Sequence, residues 1–200
     1  DPLTSRYDIG PFALNIGLVA IDRLDRVRLG LAAIAELRDV INETTALAVW
    51  GDGGPVIVRW ERPRRPITVN VVTGTALNLL TSASGRVFAA WMAKDTVDRL
   101  IAKELKSGDL PPSLKTRADV DAMLVEVRAA GMAAVSDYHL VLGVEAVAAP
   151  VFNFKGEITI AMLVVGVKGM FDMSPDGEVV NSLKRAANAL SVRLGYSGKV

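Results

Sequence analysis

The side chains that do chemistry are sparse in this 200-residue sequence. There is no cysteine, which excludes disulfides, thiolate nucleophiles and cysteine-ligated zinc or iron–sulfur centres. His139 is the only histidine; without partners it reads as a packed or surface residue rather than a general base. Ser82-Ala83-Ser84-Gly85 resembles half of a nucleophile elbow, but Ser82 stands where G-x-S-x-G needs its first glycine, and a helix N-cap explains Ser82 as well. A small hydrolase using Ser82 or Ser84 with His139 is the one catalytic alternative. Gly51-Asp52-Gly53-Gly54 lacks the strand-turn-helix setting of a phosphate loop, and no Gly-Lys-Ser/Thr occurs, so it is a turn. Arg59, Arg62, Arg64 and Arg65, offset by Glu61, form the one basic cluster. They suit either a solvated hairpin rim or contacts to a planar carboxylate or phosphate. Trp50, Trp60 and Trp91 either line a ligand cavity or fill the core. This inventory describes a binding domain rather than a catalyst, with no catalytic residue, metal set or cofactor motif expected.

Composition narrows the class of ligand. Half of the residues are apolar and 22% are charged, enough to build a substantial core. Lys and Arg (23) nearly balance Asp and Glu (22), and a net charge of +1 leaves no global field to hold nucleic acid or anionic lipid. Mean hydropathy is high at +0.32. The longest apolar run, Ile158–Val167, is nonetheless bounded by Glu157 and Lys168 and falls well short of the roughly 20 residues of a membrane-spanning helix, so no membrane partner is expected. Asp1-Pro2-Leu3-Thr4 shows no basic segment leading into an apolar one, hence no signal peptide, and the expected location is cytoplasmic. The first residue is not Met, so the chain is expected to be a piece of a longer one whose N-terminus lies upstream.

The elements that must position these residues follow from hydrophobic period. Phe12, Ile16, Val19 and Ala20 recur at helical spacing behind Gly10-Pro11, over Ile9 to Leu24. A second helical stripe runs through Leu24, Val27, Leu31, Ile34, Leu37 and Ile41. Thr44–Trp50 and Pro55–Trp60 flank the glycine turn as a hairpin, and Ile67–Val72 reads as a third strand. Helices are expected over Ser82–Met92 and Thr96–Leu105, followed by one that opens with a Thr116/Asp119 capping box and ends at Gly131. Val144–Phe152 and Glu157–Val167 make another hairpin. Ser174 is expected to cap a last helix that buries Val179, Leu183, Ala186, Ala187, Leu190 and Leu194. Strands arriving as hairpins imply a mainly antiparallel sheet in an α+β fold. Ile158–Val165 is apolar at both parities, which requires cover on both faces.

In this order the motifs resemble the effector-binding region of IclR-type bacterial transcription regulators, over nearly the whole chain. Thr4-Ser5-Arg6-Tyr7-Asp8-Ile9-Gly10 resembles the last wing strand of that family's winged helix-turn-helix domain, and the helix after it resembles the linker. Ile41-Asn42-Glu43-Thr44 is similar to "TGET", with Asn42 at the usual Gly. Thr81-Ser82-Ala83-Ser84-Gly85-Arg86 resembles "H-x-S-A-x-G-K", with Leu80 where His is common and Arg86 in the Lys place. Gly143-Val144-Glu145-Ala146-Val147-Ala148-Ala149-Pro150-Val151-Phe152 resembles "G-V-x-x-I-A-A-P-V-F". Asp137-Tyr138-His139 departs from the usual acidic run, one residue further from Gly131.

The resemblance implies a GAF-like or profilin-like curved antiparallel sheet with helices on both sides and a cavity at the concave face. Residues 1–24 would be the last wing strand and linker helix of a winged helix-turn-helix domain, and residues 25–200 the effector-binding domain. It implies a small organic-acid effector, DNA contacted only through the winged helix, and a homodimer or homotetramer. The alternative is a stand-alone GAF-like module without DNA binding. Matched residue by residue, the ligand positions are Ala83, Ser84, Ser136, Asp137, Val144, Ala146, Leu163 and Val165. Ala83 and Ser84 would offer backbone N–H groups at a helix start. Family members that take very small polar acids tend to carry thiols or hydroxyls at such strand positions. Here they are Ala, Leu and Val, so a larger, partly apolar or aromatic carboxylate is expected.

Overall fold

The computed structural model describes residues 11–64, 73–136 and 143–198. Along them run α1 (Pro11–Ile41), β1 (Thr44–Gly51), β2 (Gly54–Glu61), α2 (Ala83–Trp91), α3 (Lys94–Ser107), α4 (Arg117–Ala130), β3 (Ala133–Ser136), β4 (Val144–Phe152), β5 (Ile158–Val167) and α5 (Glu178–Arg193). The strands form one sheet in the order β2-β1-β5-β4-β3, antiparallel at every step. This is the α+β arrangement that the hairpins required. The expected strand Ile67–Val72, the segment Thr4–Gly10 and residues Asp137 to His139 lie outside the described residues.

Strand β5 occupies the middle, and its two parities enter two different cores. Met162 and Val164 join Leu47, Val147, Val151, Ile34 and Leu183 under α1 and α5. Ala161, Leu163 and Val165 join Ala46, Ala148, Val87, Phe88 and Leu124 under the other helices. A strand apolar on both parities is thus covered on both faces, as alternation of side chains demands.

The two helical stripes at the start of the chain are one helix of 31 residues, because no proline follows Pro11 within it. The boundary expected between residues 24 and 25 therefore falls inside a continuous helix. Gly30 permits close approach: a Cβ there would stand 2.6 Å from Leu47 Cδ1 on β1. The Thr45 hydroxyl donates to the Ile34 carbonyl at 2.7 Å and fastens the same contact. Asn42 ends α1 in the left-handed region at φ 50°, which Asn tolerates better than other non-glycine residues. That explains an Asn at a position where the resembled motif has Gly.

Helix α4 has its full capping box, Thr116 with Asp119, and ends on left-handed Gly131. Helix α5 differs from expectation. Its N-cap is Gly177, and Ser174 lies outside it, giving both its N–H and its hydroxyl to Asp172, each at 2.8 Å. Gly177 N–H instead closes a turn on the Ser174 carbonyl at 2.9 Å, so the helix begins three residues later. The fully buried apolar positions of α5 are Val180, Leu183, Ala187 and Leu190, with the expected Val179, Ala186 and Leu194 partly buried against the same core. Near its end Ser191 accepts from Phe152 N–H at 3.0 Å, pinning the helix to β4.

Strand β3 has four residues, Ala133–Ser136, too few for a period to show in the sequence. It is an edge strand, paired with β4 from Ala133↔Ala148 to Ser136↔Glu145.

Candidate functional site

The face of the sheet under α2 and α4 is built from small residues in aligned rows. One row reads Trp60–Ala46–Leu163–Ala148–Ala133 across all five strands. The next reads Thr44–Val165–Ala146–Val135. Helix α2 lies across β4 and β5 over this floor, and its own Ala83, Gly85, Ala89 and Ala90 are buried. Its C-terminal half is anchored at one end of the sheet, by Phe88 on Trp50 (5.6 Å between ring centroids) and Trp91 on Phe152 (6.0 Å). Its N-terminal turn is directed away from that end, toward the rows of Ala148 and Ala146. There the cover thins: Ala148, Leu163 and Val165 are buried, but Val135, Val144 and Ala146 are only half-buried, although β4 is an interior strand. The apolar floor opens at this end.

Of the residues expected to meet a ligand, Ala83 and Ser84 form the first turn of α2, Val144 and Ala146 stand half-buried at the open end of the floor, and Leu163 and Val165 are buried beside them. The strand residues share one face with the core under α2. Ser136 does not join them. It alternates with Val135, points to the other face, and its hydroxyl lies 3.4 Å from the Glu145 carboxylate. The residues of β3 on the site's face are Ala133 and Val135, of which Val135 is in the row toward the open end. Asp137 lies outside the described residues.

The first turn of α2 is held tightly. Ser82 is its N-cap: the hydroxyl accepts from Gly85 N–H at 2.9 Å and donates to the Asn78 carbonyl at 2.6 Å. A hydroxyl so engaged is a cap, and the nucleophile reading of Ser82 finds no base beside it among the described residues. Ser84 is fully buried, with its Oγ 3.5 Å from that of Ser82. The segment before the helix is folded back over it: the Glu104 carboxylate on α3 accepts from Leu79 N–H (2.6 Å) and Leu80 N–H (2.8 Å). Arg86, in the second turn, donates to the Leu80 carbonyl at 2.8 Å and to Ala134 O on β3 at 3.3 Å. Burial holds its guanidinium below its ordinary pKa. The N–H groups of Ala83 and Ser84, at the start of the helix, have no intrahelical acceptor by position. The arrangement therefore offers an apolar floor beside helix N–H groups and a half-buried cation, which suits an organic anion with an apolar body.

The other candidates resolve as structure. Asp52 and Gly53 are the tip of the β1–β2 turn. Exposed Arg59 and Arg64 make long ion pairs, with Glu61 and Asp39, each at 3.5 Å, as a solvated rim does. Arg65 lies outside the described residues. No group of three or more His, Cys, Asp or Glu among the described residues could hold a metal ion. Nor is any helix among them long and apolar enough to cross a membrane. Two residues at the site that the sequence did not single out as ligand positions, Thr44 and Val135, become visible only through strand register.

A family model described as "Bacterial transcriptional regulator IclR C-terminal" matches residues 19–192. The chain belongs to the IclR family. It is the effector-binding domain of an IclR-type regulator. It is 26% identical over 200 residues to the HTH-type transcriptional regulator XynR of Escherichia coli, covering 98% of this chain and 77% of that protein. Among solved structures, Pseudomonas aeruginosa HmgR is similar at 38% identity and a TM-score of 0.79, over 98% of this chain and 77% of that one. Thermotoga maritima IclR shares the fold, with a TM-score of 0.76 at 21% identity, over 96% and 77% of the two chains. The named relatives are transcriptional regulators.

Proposed function

We propose that this IclR domain senses a small organic acid with an apolar or aromatic body, bound at the open end of the alanine-rich floor beside the first turn of α2. The observation that carries the reading is the character of that floor. The side chains at its open end are Ala, Val and Leu, and the polar features beside it are donors: helix N–H groups and the Arg86 guanidinium. Donors suit a carboxylate, and the apolar floor suits a hydrophobic body. Occupancy would shift the relative disposition of subunits in a homodimer or homotetramer. It would thereby alter the grip on DNA of a winged helix-turn-helix domain joined through α1. The near-zero charge of this chain agrees with DNA contacts made by another part of the protein, in the cytoplasm.

A thermal-shift screen of aliphatic and aromatic carboxylates, with sugars and amino acids as controls, tests the reading. A ligand at 100 times its Kd adds about 2.7 kcal/mol, which raises Tm by roughly 5–10 °C for a domain of this size. The expected hits are aromatic or hydrophobic acids. A polar two- or three-carbon acid binding tightly in calorimetry, or no carboxylate binding at all, would overturn it.

A further inference from the structure

One polar atom on the site's face of the sheet is left over. The Trp60 Nε1 is buried and has no hydrogen-bond partner among the described residues. Buried side-chain donors in folded proteins almost always have an acceptor, because an N–H removed from water without one is destabilising. Indole offers a donor and no acceptor, so what is missing is an acceptor atom.

The register says where the indole belongs. Trp60 is on edge strand β2, opposite Ala46 and in the row that continues to Leu163 and Ala148. Its ring packs against the core under α2, not toward α1 and α5. Neighbouring strands are about 4.8 Å apart, so Leu163 is two strand spacings from Trp60, with only the methyl group of Ala46 between them. The floor of the site and the indole thus occupy one continuous face. The buried Thr44 hydroxyl lies on the same face, one row further toward the open end. Trp60 is not among the positions that the family motifs assign to a ligand.

We infer that Trp60 is a specificity-determining residue of the effector site: its indole N–H is the donor to an acceptor oxygen of the bound acid. The inference rests on the function proposed above, and it adds a requirement to it. An effector must place a carboxylate, carbonyl or hydroxyl oxygen at the β2 side of the floor as well as an apolar body over the alanines. An acid without an oxygen in that direction leaves the donor unpaired and binds more weakly.

The test uses the indole signals directly. The chain has three tryptophans, so a 1H–15N spectrum shows three indole correlations, and Trp60→Phe assigns the one of interest. Benzoate, phenylacetate and cinnamate are titrated into the wild-type chain, with thermal shift run in parallel on the same acids. The expected result is that an acid that stabilises the domain moves the Trp60 indole proton downfield, further than those of Trp50 and Trp91. Trp60→Phe, which keeps the ring and deletes the donor, should bind that acid about tenfold more weakly, as loss of a hydrogen bond to a charged group implies. Its unliganded Tm should fall by no more than a few degrees, because the void left by the smaller ring is offset by removal of an orphan donor. An acid that stabilises the domain while leaving the Trp60 indole in place overturns this inference and leaves the proposed function standing. A domain that none of the three acids stabilises overturns both. A wild-type indole proton already at a hydrogen-bonded shift without ligand overturns the inference on its own, whether or not the variant folds.

Discussion

Gly85→Ala inverts the usual effect of that substitution in a helix. Alanine is favoured over glycine in a helix interior by about 1 kcal/mol, and Gly85 is the third residue of α2. A Cβ placed there, however, would meet the Asn78 carbonyl oxygen and stand 2.5 Å from Leu79 O and 2.7 Å from Leu79 Cα. These obstacles are backbone, so no side chain can rotate away. The segment would have to lift, against the Glu104 carboxylate on Leu79 and Leu80 N–H and the Arg86 bond to Leu80 O. Overpacking costs about 1–3 kcal/mol, and with rigid obstacles on three sides the upper end applies. Set against the helix gain, the net loss is about 2 kcal/mol, a fall in Tm of roughly 4–8 °C for a chain of this size. Urea and thermal unfolding followed by circular dichroism measure it. Gly53→Ala is the control, since a Cβ at Gly53 has nothing within 4 Å, and it should change stability by no more than a few tenths of a kcal/mol. A Gly85→Ala chain as stable as wild type, or more so, refutes the close approach of the 78–80 segment to α2 and with it the way the first turn is held.

Two further expectations concern the same framework. Glu104→Ala strips the acceptor from two N–H groups in a half-buried setting, and should lower stability by about 2 kcal/mol and weaken effector binding; unchanged urea midpoints would show that the clamp carries nothing. Asp119 and Asp172 both titrate below their ordinary value of 3.8. The first is held by the Thr116 hydroxyl and N–H, the second by the Ser174 N–H and hydroxyl. A depressed folded-state pKa contributes stability that is present above the unfolded value and is lost as pH falls through the folded one. Tm should therefore drop as pH is lowered below about 4, and Asp119→Asn or Asp172→Asn should drop less steeply. Parallel curves from pH 6 to 2 would refute the assignment.

Local pattern was sufficient wherever one residue's chemistry decides one element. The capping box of Thr116 and Asp119, the glycine turn between β1 and β2, the Ser82 cap and the two-sided apolar run of β5 are each readable because the signal and its cause lie within a few residues. The same locality explains the misreading at Ser174. Ser174 falls in the turn that precedes α5, three residues before the Gly177 N-cap, and where that turn gives way to helix is not written in the residue type. It also explains the split of α1 into two stripes, since two apolar patterns along one helix look like two helices until packing shows the axis unbroken. The expected ligand positions divide in the same way. Ala146, Leu163 and Val165 share a face because they stand on hydrogen-bonded neighbouring strands in aligned rows. Ser136 is excluded because a single step along β3 turns a side chain to the other face. That step is set by pairing with β4 across a loop, at a sequence separation where no local preference operates. Trp60 and Thr44 belong to the same face for the same reason. Residue type alone pointed to a binding domain rather than a catalyst. Which residues meet at the floor, and which donor there lacks an acceptor, was decided by inter-strand register and by the helix laid over it, because side-chain direction in a sheet is a property of the pairing and not of the residue.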